Sequence, residues 1–209
     1  MKLLKSLLIL TASILTTSIA QAEDYSAEAI STFRYMVEEE KLAGDLYEVF
    51  YTQTGLKIFG NIMKSEDQHV AALTTQAGLA GIDINDLVSL PKGTFLNQDL
   101  QSLYDSLLAQ GSTSSFAALT VGKDIEVRDI ADISVAMKEI PATSSLYLTY
   151  GNLRTASGNH LNAFNKQLAM NPPPVPEPET YAMMLVGLGL VASSVSRRKA
   201  ANRRRRAFA

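Results

Sequence analysis

The chain contains no cysteine and only two histidines among its 209 residues. Without cysteine there is no disulfide, thiolate nucleophile, zinc–thiolate site or iron–sulfur cluster. Any chemistry that needs an imidazole must therefore use His69 or His160. The sequence also lacks the apolar–polar alternation of strands and any internal repeat of solenoid length. The lack of a strand pattern favours an all-α fold.

The first 22 residues have the composition of a secretory signal. Lys2 and Lys5 precede an apolar run from Leu7 to Ile14, and Ala20-Gln21-Ala22 forms a small-residue cleavage site. The alternative is a first transmembrane helix, but the run is short and its end is small and polar. The mature chain is predicted to begin at Glu23 and to be exported.

The C-terminal part has three segments with different compositions. Residues 171–180 form a proline-rich linker that favours an extended polyproline conformation. Residues 181–196 are apolar, although short for a membrane span of about 20 residues. Residues 197–209 are rich in arginine, and an apolar segment followed by basic residues is typical of a stop-transfer signal with a cytoplasmic tail. The alternatives are a buried helix for the apolar segment and a nucleic-acid patch for the arginines.

The motif Val175-Pro176-Glu177-Pro178-Glu179 precedes the apolar segment and the arginine cluster. In this order the three parts resemble the PEP-CTERM sorting signal of Gram-negative bacteria. The resemblance implies recognition by an exosortase and cleavage near Pro176-Glu177-Pro178. The hydropathy of the apolar segment itself predicts at least transient anchoring in the inner membrane. The resemblance adds delivery to the periplasm, the cell surface or the exopolysaccharide-containing extracellular matrix.

Residues 23–170 remain when both ends are removed, and this length suits one domain with its own core. They carry 10 Lys and Arg against 19 Asp and Glu, a formal charge of −9. Such an acidic domain is poorly suited to nucleic acid or an anionic surface and better suited to cations. We therefore expect no nucleic-acid partner.

Periodic apolar residues predict four long helices and one short helix in this domain. The long helices are predicted over residues 26–53, 56–76, 114–140 and 143–170, and the short one over 99–110. Residues 83–97 contain Pro91 and Gly93 and are predicted to form a loop. The sequence therefore predicts an antiparallel four-helix bundle with a short extra helix between helices two and three.

Polar residues interrupt the apolar stripe of each long helix near its middle. In chain order these interruptions are Glu40, Glu66 with His69, Glu126 with Asp129, and Ser157 with His160. The midpoints of antiparallel helices lie at the same depth, so these side chains are expected to meet. Buried carboxylates and imidazoles need compensation, and they are ligands that iron, manganese and zinc accept.

Further motifs resemble a known family. Glu40-Lys41-Leu42-Ala43, followed by Tyr47, is similar to the first-helix motif of rubrerythrin-type proteins. Residues 36–168 as a whole resemble a ferritin-like domain family of unknown function, with marks at residues 37–43, 65–69, 129–133 and 158–161. The resemblance implies a metal site of iron, in di-iron form, or of manganese. The ligands that it implies are Glu40, Glu66, His69, Glu126 and His160.

The fourth helix departs from the Glu-x-x-His pattern of di-iron bundles, because position 157 is Ser. A bridging carboxylate is therefore missing. Asp129, one turn after Glu126, is a further candidate ligand that could replace it. The alternative for Asp129 is a surface ion-pair ladder with Arg128 and Asp132. Without the replacement, the site is expected to hold one metal ion, or two weakly.

Each candidate ligand also has a purely structural alternative. Glu40 could pair with Lys41 or accept a hydrogen bond from a tyrosine hydroxyl. Glu66 and His69 could form a buried hydrogen-bonded pair, and His160 could donate to a backbone carbonyl.

Several other residues carry simpler predictions. Glu38 and Glu39 are predicted to lie on a solvated face, and Tyr47, Tyr51 and Tyr150 to lie in the core. Gly44 and Gly122 fall on the inward stripes, where a glycine either lets two helices approach closely or leaves room for a small ligand.

Two classes of function are consistent with these features. One is a metal-dependent oxidoreductase of the cell envelope, such as a peroxidase or ferroxidase, which would draw its electrons from elsewhere. The other is a non-catalytic scaffold of the cell surface or exopolysaccharide matrix, with a polar or metal-stapled core. The first requires a bound redox metal, whereas the second does not.

Overall fold

The computed structural model describes residues 25–173, 182–188 and 190–192. The predicted signal peptide, most of the proline-rich linker and the basic tail lie outside these residues. The described part of the domain forms helices and no strand. The helices are α1 (Ala27–Thr54), α2 (Lys57–Ala80), α3 (Asn85–Val88), α4 (Gln98–Gly111), α5 (Ser115–Ala136) and α6 (Ser145–Met170).

The ends of α1 follow the signals in the sequence. The Ser26 side chain accepts a hydrogen bond from the backbone N–H of Ala29, and Gly55 ends the helix with φ of 68°. Two predictions need correction. The predicted loop over 83–97 contains the short helix α3, and α5 ends at Ala136 instead of continuing to Ile140.

Neighbouring long helices run antiparallel, as their side-chain contacts show. The contacting pairs are Glu40–His69 and Tyr51–Gly60 (α1–α2), Tyr35–Asp132 and Tyr47–Glu126 (α1–α5), Gln76–Ser145 and Ser65–His160 (α2–α6), and Gly122–Phe164 and Asp129–Ser157 (α5–α6). It follows that α2 and α5 run parallel and are joined by a long crossover that contains α3 and α4. One long crossover is also a feature of ferritin-like folds. The prediction of an all-α antiparallel bundle with an extra helix is confirmed.

Apolar side chains fill the bundle on both sides of its polar middle. On one side lies an aromatic group of Tyr47, Phe50, Phe59 and Phe164, whose neighbouring ring centroids are 5.4–6.0 Å apart. On the other side lies a larger cluster that includes Phe33, Met36, Leu73 and Tyr150. The polar residues at mid-length are thus enclosed between two water-excluding layers.

Tyr51 does not belong to this core. It was predicted to face inward, but it is 43% exposed, and its ring covers the backbone of Gly60. The inward stripe of α1 therefore ends at Phe50, which packs on Phe59.

Gly122→Ala is expected to destabilise the bundle by about 1–3 kcal/mol through overpacking. A Cβ at this position would lie 2.5 Å from the Phe164 ring, so α5 and α6 would have to separate. The free energy of unfolding by urea measures the effect. Gly78→Ala is the control, because a Cβ there meets no atom within 4 Å. Equal stabilities of the two variants would contradict the close contact.

The chain divides into two units, residues 1–167 and 168–209. In the second unit, residues 182–188 and 190–192 are helical, within the segment predicted to sort or anchor the protein. None of the helices in the described residues is both long enough and apolar enough to cross a membrane.

Candidate metal centre

Five ionisable side chains from the four long helices meet at the middle of the bundle. Glu40 comes from α1, Glu66 and His69 from α2, Glu126 from α5 and His160 from α6. Each of the three carboxylates is 2% exposed. All five predicted ligands are thus brought together, and we refer to them as the carboxylate–histidine cluster.

Glu40, Glu66 and His69 form group A of the cluster. One ligand atom from each residue lies within 4.8 Å of the others. His69 Nδ1 is 3.0 Å from Glu40 Oε2 and 2.7 Å from Glu66 Oε2. The imidazole therefore lies between two buried carboxylates on different helices.

Glu66, Glu126 and His160 form group B, which satisfies the same 4.8 Å criterion. His160 Nδ1 is 3.0 Å from Glu66 Oε1 and 3.5 Å from Glu126 Oε2. Glu66 thus directs one oxygen to each group. A carboxylate shared by two histidine-containing groups is the arrangement expected of a bridging ligand between two metal ions.

Three ligand atoms of the cluster are buried and make no hydrogen bond to any described residue. They are Glu40 Oε1, Glu66 Oε1 and His160 Nδ1. The last two atoms are 3.0 Å apart but are not oriented for a hydrogen bond. Buried polar atoms normally have partners, and a cation between these atoms would satisfy both. The donor set, with carboxylates, imidazoles and no thiolate, therefore fits iron, manganese or zinc.

The two carboxyl groups of group A have opposite pKa shifts. Burial raises the pKa of Glu40 to about 8; the contact with His69 reduces this effect, and the nearby charge of Glu66 increases it. Burial also opposes ionisation of Glu66, but contacts with His160 and His69 outweigh it and lower the pKa of Glu66 to about 2. In the metal-free chain, Glu66 is the carboxylate that stays charged.

Both histidines bind their protons more tightly than usual. Burial lowers the pKa of His69, but Glu40 and Glu66 outweigh burial and raise it to about 10. Burial has the same effect on His160, where Glu126 and Glu66 raise the pKa to about 9. Both rings therefore carry a proton at neutral pH in the metal-free chain, and a metal ion would have to displace these protons.

Two neighbouring hydroxyl groups orient the ligands of group B. The Tyr47 hydroxyl donates to Glu126 Oε1 at 2.7 Å. On the other side of the group, His160 Nε2 lies 3.1 Å from Ser65 Oγ. Partners of this kind set the orientation of ligand side chains in metal sites. The core position predicted for Tyr47 is confirmed, whereas the contact of Ser65 was not predicted.

Two of the structural alternatives are wrong. Lys41 pairs with Asp45 at 2.6 Å and not with Glu40, and the nearby tyrosine hydroxyl donates to Glu126. His160 directs Nδ1 toward carboxylates and Nε2 toward the Ser65 hydroxyl, not toward a backbone carbonyl. A hydrogen-bonded Glu–His core is still consistent with the contacts of group A.

Asp129 is buried beside the cluster but belongs to neither group. The Ser157 hydroxyl donates to Asp129 Oδ2 at 2.5 Å, while Oδ1 has no hydrogen-bond partner among the described residues. Burial and the charges of Glu40, Glu126 and Glu66 raise the pKa of Asp129 well above its usual value. The surface ladder is wrong for Asp129, since Arg128 pairs instead with Glu39 at 3.0 Å and Asp132 at 3.4 Å. Ser157 therefore does not supply the bridging carboxylate of the di-iron pattern, but its hydroxyl holds the Asp129 carboxylate beside the cluster.

Glu38 and Glu39 do not lie on a solvated face, as was predicted. They are 4% and 3% exposed. The crossover covers Glu38, whose Oε1 accepts a hydrogen bond from the Leu96 N–H at 2.5 Å. Glu39 accepts from Arg128, and its burial, together with the nearby charges of Asp129 and Asp132, raises its pKa well above the usual value. The apolar periodicity of α1 cannot show that the crossover covers the outer side of this helix.

Both the helical domain and the C-terminal segment of the chain have matches among known proteins. Residues 174–199 match the PEP-CTERM protein-sorting motif, so the protein is exported and sorted to the cell envelope by an exosortase. An uncharacterized protein of Methanocaldococcus jannaschii, MJ0754, is 37% identical over 134 residues, which are 64% of this chain and 71% of that protein.

The fold also matches a solved structure. The crystal structure of hypothetical protein MJ0754 from Methanococcus jannaschii has a TM-score of 0.68 and 32% identity, covering 78% of this chain and 95% of that one. Residues 29–173, which include the whole carboxylate–histidine cluster, match a family described as "Uncharacterized protein domain (DUF2202)". The chain therefore belongs to the DUF2202 family and carries a PEP-CTERM sorting motif behind the family domain.

Proposed function

We propose that the domain is a ferritin-like metalloprotein that binds iron or manganese, with two ions when groups A and B are both filled. The ligands are Glu40, Glu66, His69, Glu126 and His160, with Asp129 as a further candidate. The observation that carries this proposal is the sharing of Glu66 between two groups of three potential ligands. The buried ligand atoms without hydrogen bonds support it.

Iron or manganese, when bound, would supply redox capacity and an electrophilic centre for oxygen-containing substrates. The protein's own residues prepare the site. Tyr47 holds Glu126, Ser65 contacts the outer nitrogen of His160, and the aromatic group beside the cluster excludes water. Glu40, with a pKa of about 8, holds a carboxyl proton at neutral pH in the metal-free chain.

The proposed activity is that of an oxidoreductase acting on peroxide, dioxygen or ferrous iron. The sequence has no cysteine, so an iron–sulfur or thiol group of its own cannot supply electrons. Net reduction of dioxygen or peroxide therefore requires electrons from an external donor or from the ferrous substrate. In the envelope, we further propose that residues 181–196 anchor the chain transiently in the inner membrane and that the exopolysaccharide matrix is one destination.

The alternative is a surface scaffold without catalysis. It is favoured by the pairing of His69 with Glu40 and Glu66 at 3.0 and 2.7 Å. A protonated His69 that pairs with the Glu66 carboxylate and contacts Glu40 stabilises such a core without a metal. The two proposals differ in whether bound metal reacts.

Peroxide consumption by the purified full-length chain loaded with ferrous iron tests the proposed activity. We expect faster consumption than with an equal amount of iron in buffer, together with oxidation of the bound iron. The same assay on a manganese-loaded sample identifies the preferred metal. If the chain retains iron but peroxide disappears at the buffer rate, the redox function is wrong and the scaffold proposal is favoured.

A further inference from the structure

A cavity of about 220 Å³ connects the carboxylate–histidine cluster with the surface between α1 and α2. Glu40 and Glu66 line its inner end, and Val70 and Leu90 line its sides. Lys92, whose side chain is 70% exposed, lies at its outer end. The cavity therefore reaches one ligand on each of two helices, and its volume accommodates several water molecules.

Gly44 keeps the inner end of this cavity open. A Cβ at this position would lie 3.4 Å from the Cβ of Glu66, so any larger side chain would extend over that ligand. Gly122 differs, because the Phe164 ring already occupies the space beside it. Of the two roles predicted for inward glycines, Gly122 serves close packing and Gly44 leaves room for a small molecule.

The outer wall of the cavity belongs to the crossover and is fastened to α1. Lys41 Nζ donates to Asp45 Oδ2 at 2.6 Å and to the Pro91 carbonyl at 3.1 Å. The Gly93 N–H donates to the same Asp45 oxygen at 2.9 Å. These bonds hold the segment after Leu90 in place, so the width of the cavity is set by the fold.

Two ion pairs lie at the outer end, where the exposed carboxylate of Asp67 also lines the cavity. Lys41 lies beside Asp45, and Lys92 lies beside Glu48. The sides are formed in part by the apolar Val70 and Leu90. The lining has more carboxyl groups than lysines, so it disfavours anions and admits small molecules that carry no negative charge.

We propose that this cavity is the entry route for the oxidant and that it limits the oxidant to small molecules without negative charge, of the size of dioxygen or hydrogen peroxide. The proposal rests on the proposed function of the cluster and adds a substrate class to it. Gly44 and Val70 are its size-determining residues. They touch the route and do not belong to the ligand set.

The test uses nitric oxide, an uncharged diatomic probe, and the ferrous-loaded full-length chain. Its association rate is followed by stopped-flow absorbance, which reports binding and not turnover. We expect Gly44→Val and Val70→Phe to slow association by about tenfold or more, with iron content unchanged. Gly78→Val is the matched control and should associate at the wild-type rate, since its Cβ meets no atom within 4 Å.

A second arm measures the size limit. Wild-type bound iron should be oxidised faster by hydrogen peroxide than by tert-butyl hydroperoxide, relative to the same two rates for iron in buffer. Wild-type association rates in both blocked variants would overturn the proposal, as would loss of iron from both, because residues of a route do not hold the metal. A wild-type chain that retains neither iron nor manganese would contradict the proposed function itself.

Discussion

Glu66→Gln is expected to abolish metal binding in groups A and B together. Glu66 is the one residue common to both groups, with Oε2 at 2.7 Å from His69 and Oε1 at 3.0 Å from His160. Glutamine keeps the shape of the side chain but removes the negative charge and replaces one ligand oxygen with N–H₂. We expect the affinity of each position to fall by about 100-fold or more, since even residues that only orient ligands change it by 10–100-fold. Titration with cobalt(II), followed by its visible absorption, measures both positions.

Three variants serve as comparisons for this experiment. Glu40→Gln should weaken group A alone and His160→Ala group B alone, so each should retain one position. Glu28→Gln, an exposed carboxylate in the first turn of α1, should bind like the wild type. Retention of one tight position by Glu66→Gln would contradict the bridging role.

Metal affinity is expected to rise steeply with pH between 6 and 8. In the metal-free chain, protons are held by His69 (pKa about 10), His160 (about 9) and Glu40 (about 8). Metal ligation requires these protons to leave, and each proton released per ion changes the apparent affinity tenfold per pH unit. We expect a gain of ~100-fold or more over the two pH units. Calorimetric titration in buffers of different ionisation enthalpy gives both the affinity and the number of protons released.

The protons on His69 and His160 make the stability of the metal-free fold fall as pH rises, whereas the metal affinity increases. The raised pKa values of His69 and His160 contribute stability that is complete below about 6.5 and is lost as pH rises through 9 and 10. The lowered pKa of Glu66 contributes stability that is present above about 4.5 and is lost as pH falls toward 2.

Thermal unfolding with and without metal separates these two trends. At pH 8, metal at about 1,000 times its Kd should stabilise the fold by ~4 kcal/mol and raise Tm by ~8–16 °C. At pH 6 the increase should be smaller at the same total metal concentration. A metal-induced shift that is equal at both pH values, or no proton release on binding, would contradict the assignment of these residues as ligands.

The sequence was sufficient to predict the long helices and the residues that meet between them. Glu66 and His69 occupy core positions of an amphipathic helix, and the same periodicity applies to Glu40, Glu126 and His160, so one rule placed all five. This rule failed for residues that are buried by a segment outside the four long helices. Glu38 is covered by the crossover, which bonds it through the Leu96 N–H, and nothing in the repeat of α1 signals that contact.

The pairing of Asp129 with Ser157 also required coordinates. The sequence showed that position 157 lacks the expected Glu and that Asp129 lies one turn after Glu126, but not whether Asp129 faces inward. Its 2.5 Å hydrogen bond with Ser157 depends on the relative rotation of α5 and α6. That rotation is set partly by the contact of Gly122 with Phe164, which depends on the packing of two helices and not on the pattern of either.

Two metal ions that share Glu66 require about two bound ions per chain, and the metal content of the purified protein measures this number. The purified full-length chain would be loaded with iron or manganese, freed of unbound metal by gel filtration, and measured by elemental analysis against protein concentration. The two groups predict about two ions per chain. One ion per chain would contradict the shared carboxylate, and no retained ion would show that the cluster is a hydrogen-bonded core.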